Sequence, residues 1–479
     1  MTGRDAAITF LAAAQLAGCA VGPDYRRPAV DLPAAFRAQA EKPGDHSIGD
    51  DVWWHIYRDP PLQQLLRTAL ANNRDVKIAA ARVAEARAQA GVARLGQFPE
   101  IDATLSGERA RSLVIGGGHI TGTQLAAGLS ISYEVDFWRR LASLSEAARA
   151  DLLATELARD NVRVGLVADV ATAYFDLRSL DQQQRVTEDT VATRKRFLEL
   201  TQRKFEHGAA SRLDVNRAVA SLALAQANLP DLRRQIGQSE NQLRILLGDN
   251  AGPVAREPLD LQAIPMPPEV PAGLPSALLK RRPDLRQAEA SLVGATARVK
   301  ATRAALFPSI TLTAAAGSQS AALADLFSGP ARAWSFGLAL LQPILNAGRN
   351  GYQVDAVQAR ADQATLQYGQ AVAQAFREVS DALIARRDYA DLQVAQLDQV
   401  QALREASRRV HRRYEVGYSS YFEVVDADRD LYAAELQLIQ AYRNSMVATV
   451  QLYKALGGGW QLPGDAGPTA ERDASGRSG

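Results

Sequence analysis

One unit of the chain occurs twice, 209 residues apart, and this duplication constrains the fold more than any other feature. From Asp75 the sequence reads DVKIAAARVAEARAQAGVARLGQFPEIDATLSG, and from Asp284 it reads DLRQAEASLVGATARVKATRAALFPSITLTAAAG. In both, an alanine-rich helical pattern ends in Phe-Pro, at Phe98-Pro99 and Phe307-Pro308, and strand-like alternation begins. Gly128 and Gly337, Phe205 and Tyr414, and Gly248 and Gly457 keep the same offset. A shared alanine bias accounts for one such coincidence, not for four in one register. The copies run over 61–248 and 270–457, joined by a proline-rich linker, 249–269, expected to be extended. An arm over 19–60 precedes them, and a tail over 458–479 has the composition of a flexible end.

Each copy reads helix, helix, strand, strand, long helix, long helix. The first strand pair is expected at about 101–110 and 124–135. There Ile101, Ala103 and Leu105 alternate with Asp102, Thr104 and Ser106, and Leu129, Ile131, Tyr133 and Val135 share one parity. The second pair is expected at about 309–318 and 332–342, with Trp334, Phe336, Leu338 and Leu340 on one face. Period two over such a span suits a tilted strand crossing a bilayer. Taken alone, either pair would favour an ordinary half-buried sheet in a soluble protein.

The long segment after each pair changes the balance. From Phe137 to His207 there is no proline and one glycine, Gly165, and helix formers dominate. A continuous helix over that stretch would be about 107 Å long. The second copy repeats it over 345–416. Returning helices over 212–247 and 420–456 complete two hairpins, the first with a kink or interruption expected at Pro230. Globular helices are far shorter, so these are rods for a coiled coil or helical barrel. Four strands cannot close a barrel, and an open edge in lipid leaves backbone groups unpaired. The strands therefore belong to an oligomeric barrel, or they are not in a membrane. Two chains supply eight strands and a filled interior; three supply twelve and leave a channel.

Composition narrows the function classes. Fifty-five basic against 53 acidic residues give a net charge of +2, which is no field for a phosphate backbone and predicts no nucleic-acid partner. No nucleophile motif, metal-ligand cluster or phosphate loop occurs, so neither an enzyme nor a metal site is expected. The five histidines, His46, His55, His119, His207 and His411, lack ligand spacing. The apolar stretch over 6–17 is too short to span a bilayer and reads as a secretory signal, 1–18. Its end, Leu16-Ala17-Gly18-Cys19, resembles a bacterial lipoprotein signal. That resemblance implies a mature N-terminus at Cys19 carrying covalent lipid, the only prosthetic group expected; the alternative is an incidental cysteine.

Several motifs together resemble one family. They are Cys19-Ala20-Val21-Gly22-Pro23-Asp24-Tyr25, Trp53-Trp54, Asp59-Pro60 and Arg281-Arg282-Pro283-Asp284. The C-terminal one runs Leu452-Tyr453-Lys454-Ala455-Leu456-Gly457-Gly458-Gly459-Trp460. The chain is similar to the outer membrane factors, the TolC-like and OprM-like exit ducts of Gram-negative tripartite efflux pumps, in their NodT-type lipoprotein branch. The resemblance implies a mainly α protein with membrane β structure. A homotrimer would form a twelve-stranded outer membrane β-barrel, four strands per chain, continuous with an α-helical periplasmic barrel. It implies outer membrane lipid, a periplasmic adaptor and an inner membrane resistance-nodulation-division transporter as partners. It also implies passive conduction of small molecules or drugs to the exterior. Pro343-Ile344-Leu345-Asn346-Ala347-Gly348-Arg349 departs from the family's Asp-Gly-Gly turn.

The hairpins reverse near 208–211 and 417–420. The resemblance makes Gly208, Ser211, Gly417 and Ser420 adaptor-docking tips. Glu423 and Asp426, three apart on one helical face, match acidic positions lining the family's periplasmic gate. The plain alternative is a pair of solvated carboxylates. Tyr418 and Tyr421 are candidates for contacts that hold the tip closed, whereas Tyr414 reads as packing and Asp428 and Asp430 as surface charges. Two other functions stay open: a duct for type I protein secretion, and a periplasmic coiled-coil scaffold lipoprotein without a pore.

Overall fold

The computed structural model describes residues 21–30, 33, 35–37, 56–113, 118–256, 258, 261–264, 275–346 and 348–458. Cys19, the Trp53-Trp54 pair, Ala347 and the tail from Gly459 lie outside them. Two short helices, α1 (Pro60–Asn72) and α2 (Arg74–Leu95), lead into β1 (Glu100–Leu113) and β2 (His119–Val135). The hairpin α3 (Arg140–Glu206) and α4 (Arg212–Leu246) comes next. Then come α5 (Pro283–Ala304), β3 (Ser309–Ser320), β4 (Arg332–Leu341), α6 (Arg349–Glu415) and α7 (Tyr421–Ala455). From α2 onward the helices of the second set begin and end 209 residues after those of the first. Both long helices have 67 residues. Pro230 does not interrupt α4, which is one helix across it.

The chain divides into two compact units. The first holds 1–29, 81–156 and 287–369, and with them the whole sheet. Its order is β1-β2-β3-β4, antiparallel throughout. Register decides what this sheet is. Leu105 pairs with Ala127 and Ile101 with Ile131; Ile131 in turn pairs with Ala314, and Ala314 with Phe336. Paired residues share a face, so the apolar parity of all four strands falls on one side. The other side carries Asp102, Ser130, Thr311 and Ser335 among others. Among the described residues nothing covers the β4 part of the apolar face: Trp334, Phe336, Leu338 and Leu340 are 83%, 70%, 67% and 66% exposed. Where β2 meets β3, Gly128 pairs with Gly317, and a Cβ on Gly317 would run into the Ala127 carbonyl. Only glycine allows that approach.

β1 and β2 are longer than the apolar alternation indicates. The hairpin continues through pairs such as Glu108 with Gln124 and Arg111 with Thr121, where backbone bonds alone extend the ladder. The arm runs along α5 in the opposite direction. Tyr25 Oη and Arg27 Nε both donate to Glu289 Oε1, at 2.9 and 2.7 Å, and Lys300 Nζ donates to Asp24 at 2.9 Å.

The second unit holds 30–80, 157–286 and 370–479. Its core centres on the stretch 164–178 of α3, with Leu62 and Leu66 of α1 and Leu452, Tyr453 and Leu456 at the end of α7. Two copies of one joint brace it. Arg282 Nη1 donates to the Ala455 carbonyl at 2.9 Å, while Gly457 (φ 82°) packs against the Arg282 backbone. At the matching positions Asn73 Nδ2 donates to the Leu246 carbonyl at 2.9 Å, and Gly248 (φ 83°) packs against Asn72. Arg282 is buried, and Asp284 and Glu378 hold its guanidinium at 2.6 and 2.8 Å. The described part of the linker is fastened by Arg256, which forks onto Asp181 at 2.6 and 2.7 Å and also reaches Glu240.

Candidate functional site

Both hairpins reverse by the same construction, and it arises from their glycine and serine. The first long helix ends at Gly208 (φ 75°), whose N–H bonds the Phe205 carbonyl, while Ala209 N–H reaches back to Lys204. Gly417 (φ 90°) does the same with Tyr414, and Tyr418 N–H with Arg413. This is the left-handed C-terminal cap that glycine favours. Three residues later Ser211 and Ser420 open the returning helices with complete capping boxes. Ser211 exchanges bonds of 3.1 Å with Asp214, in both directions.

Glu423 fills the Asp214 position of the second tip. Its carboxylate accepts from Ser420 N at 3.0 Å and from the Ser420 and Ser419 hydroxyls at 3.2 Å each. The Ser420 backbone bond, then the Ser419 hydroxyl, hold its carboxyl below the usual carboxylate range. Folding depresses this pKa, so the cap is complete above the ordinary carboxylate value and fades as pH falls through the lowered one. Asp426, one turn on, is half-exposed and pairs with Arg429 at 2.6 Å; the same guanidinium pairs with Asp430 at 2.9 Å. The two gate candidates thus share the start of α7, and each has local partners three residues away, Ser420 for Glu423 and Arg429 for Asp426.

The tyrosines divide differently from the expectation. Tyr418 is exposed, and its carbonyl accepts from Arg413 at 3.1 Å. Tyr421 is buried with Phe197, Ala218, Tyr414 and Val424 in one apolar cluster that joins the first hairpin to the second. Tyr414 does pack there, but it also bonds across the hairpins: its hydroxyl lies 2.9 Å from Thr201 Oγ1. Thr201 gives its own proton to the Phe197 carbonyl, so Tyr414 is the donor. Burial pushes its phenol pKa up, which keeps that proton in place. Lys204 completes the contact, with Nζ bonded to the Tyr414 carbonyl and 4.1 Å from its ring centroid.

Asp428 is not a surface charge. It is largely buried and accepts from Ser407 Oγ at 2.8 Å, with His411 Nε2 at 2.7 Å. The His411 ring lies 4.2 Å from that of Phe197. These residues border a groove of about 960 Å³ between α3 and the second hairpin, which also includes Arg194, Arg404 and Tyr432. Asp430 does remain exposed. Among the described residues no group of His, Cys, Asp and Glu is placed to hold a metal ion. No described helix is long and apolar enough to cross a membrane.

The tip glycines make one prediction. A Cβ at Gly417 meets open space, so Gly417→Ala costs only the left-handed backbone strain, about 1 kcal/mol. A Cβ at Gly248 would in addition lie 2.5 Å from the Asn72 carbonyl. Thermal melts of the extracted protein should therefore place Gly248→Ala below Gly417→Ala, and equal melting temperatures would refute the joint's tightness.

Known proteins share this outline. The model of the family described as outer membrane efflux protein matches residues 65–249 and 274–458. The probable efflux pump outer membrane protein TtgC of Pseudomonas putida is 39% identical over 454 residues, 93% of each chain. The cation efflux system protein CusC of Escherichia coli is 33% identical over 461 residues, covering 95% of this chain and 98% of that one. Among solved structures, the outer-membrane channel OprN superposes with a TM-score of 0.87 at 31% identity, over 93% of this chain and 100% of that one. The open state of the Neisseria gonorrhoeae MtrE outer membrane channel gives 0.84 at 32%, over 92% and 99%.

Proposed function

Because the chain belongs to the outer membrane efflux protein family, and so is the outer membrane component of an efflux system, we propose that three copies form its conduit. The observation that carries this is the sheet. It presents one continuous apolar face, and its two edges, β1 and β4, have no strand partner within the described part of the chain. In lipid the apolar face is matched, but each unpaired edge group costs several kcal/mol. Pairing β4 of one copy with β1 of the next removes both edges. Three copies give twelve strands and an open interior, which two would not.

The long hairpins carry the duct onward through the periplasm, and their tips meet a periplasmic adaptor that connects to an inner membrane transporter. Cargo moves passively, driven by that transporter; small molecules are the class favoured by relatives named for efflux of solvents, antibiotics and cations. Lipid on Cys19 tethers the arm. In support, Gly22, the second described residue of the arm, lies beside Lys300, near the end of α5 that leads into β3. Nothing in the relatives' names favours protein export, and an exposed apolar sheet has no use in a pore-free scaffold. Three-fold projections of detergent-extracted particles would support the trimer; a monodisperse monomer would end the proposal.

Glu423 and Asp426 form the constriction. At the start of α7, Asp426 and Asp430 share one guanidinium, Arg429, while Glu423 is held by Ser420 and Ser419, with the charge of Arg413 acting on it from the preceding helix. A ring of three such clusters attracts cations and opposes anions. Glutamine serves the capping box as glutamate does, so Glu423→Gln with Asp426→Asn removes charge while leaving the helix start. In planar bilayers this pair should raise single-channel conductance and lower cation selectivity. If both stay unchanged, the gate lies elsewhere.

A further inference from the structure

Where β2 passes into α3, Arg139 adopts φ 58°, the only positive φ among described non-glycine residues. The position 209 residues later is Gly348, φ 81°. Glycine is what such a turn calls for, and a side chain there is strained. Strain kept at one copy of a position that glycine serves in the other points to a use for the side chain. The turn around it is held firmly. Asp136 accepts from Leu141 N and Ala142 N at 2.9 and 2.7 Å. Trp138 Nε1 donates to the Pro308 carbonyl at 2.9 Å, and its ring stacks on Phe307 at 4.6 Å. Arg140 is engaged by Glu134 at 2.6 and 2.9 Å. The Arg139 backbone is bonded to Asp136 and Ser143, but its side chain is exposed and its guanidinium bonds to no described residue.

The arm brings further charge to this turn. The Lys300 hydrogen bond and charge hold the Asp24 carboxyl below its ordinary range, and the charges of Arg139 and Arg26 add to the effect. Lys300 alone is bonded to Asp24, at 2.9 Å, and Arg26 stands two residues along the same arm. Lys300 answers Asp24, while the exposed guanidiniums of Arg26 and Arg139 are left over. The arm lies antiparallel to α5 with Gly22 beside Lys300, and Cys19 stands three residues earlier in the sequence. Aromatic rings of Phe137, Trp138 and Phe307 cluster at the same junction, as aromatic residues do at a membrane–water boundary.

We infer that Arg139 and Arg26, beside Lys300, form a binding site for the head group of an anionic glycerophospholipid in the periplasmic leaflet of the outer membrane. The inference rests on the tethered, membrane-spanning reading of the proposed function. The guanidinium forks take the phosphodiester oxygens. Two exposed guanidiniums without a bonded carboxylate, against the one carboxylate of Asp136 in the turn, favour a head group without an ammonium.

The test uses the full lipidated protein in mixed micelles with equimolar phosphatidylglycerol and phosphatidylcholine. Native mass spectrometry counts the lipids retained and, in the same spectra, the copies of the chain. Phosphatidylglycerol should be preferred by about fivefold for each guanidinium that takes the head group. Arg139→Gly with Arg26→Gln should abolish the preference. Arg139→Gly alone should weaken it while keeping or raising the melting temperature, because glycine relieves the turn; a purely structural arginine would move both downward. Cys19→Ser should leave the preference intact, separating this site from the tether. A wild type without preference, a double variant that keeps it, its loss in Cys19→Ser, or full displacement by inorganic phosphate at the same concentration would each overturn the inference. Absence of a trimer in the spectra would instead count against the parent reading.

Discussion

Phe336→Arg should empty the outer membrane of folded trimer, whereas Ser335→Arg, one residue away, should leave it in place. Phe336 pairs with Ala314 midway along β4, on the face where Trp334, Leu338 and Leu340 also stand 66–83% exposed. If that face meets lipid, an arginine at mid-depth costs about 2–4 kcal/mol in each chain, and a symmetric trimer incurs it three times. Ser335 pairs with Ala315 on the opposite, polar face, where a charge stays hydrated in a channel. Heat-modifiable mobility of the outer membrane fraction reads both variants directly. Equal loss would mean that the sheet is covered on both faces. Equal survival would mean that it is not in a membrane.

The contrast depends on a fact that reading along the chain does not supply. Alternation within each strand is plain, and so are α3 and α6, because a stretch without proline and nearly without glycine has few alternatives to helix. The pairing of β2 with β3 is a different matter. Ile131 and Ala314 are far apart in sequence, and a slip of one residue would turn the second apolar face away from the first. The same distance hides part of the tip. Ser211 with Asp214 and Ser420 with Glu423 are local signals, and the capping boxes are legible once the helices are placed. His411 with Asp428, and Tyr414 with Thr201, join different helices. Along the chain Asp428 cannot be told from Asp430; with α6 and α7 side by side, one is buried against His411 and the other exposed. Periodicity reports which face of a helix is apolar; it does not report which polar residue on that face finds a partner.

Tyr414 is where that missing information has its largest functional consequence. Its ring lies in the cluster that includes Phe197 and Ala218 of the first hairpin and Tyr421 and Val424 of the second, and its hydroxyl and carbonyl are bonded to Thr201 and Lys204. Tyr414→Ala removes a buried aromatic ring, a loss of about 3–5 kcal/mol. If the hairpins must part for the duct to open, the loss falls mainly on the joined state. A shift of even about 3 kcal/mol moves such an equilibrium about a hundredfold. Bilayer conductance of the trimer should then rise by well over about tenfold, with the barrel and its heat modifiability unchanged. Tyr414→Phe keeps the ring and the Lys204 contact and gives up one hydrogen bond, about 1 kcal/mol, so its conductance should rise about fivefold at most. Thr201→Val should match Tyr414→Phe, and combining them should add little, since both delete the same bond. An intact Tyr414→Ala trimer with unaltered conductance would show that the joined hairpins brace the helices without closing the duct, and opening would then have to be sought at the Glu423–Asp426 turn itself.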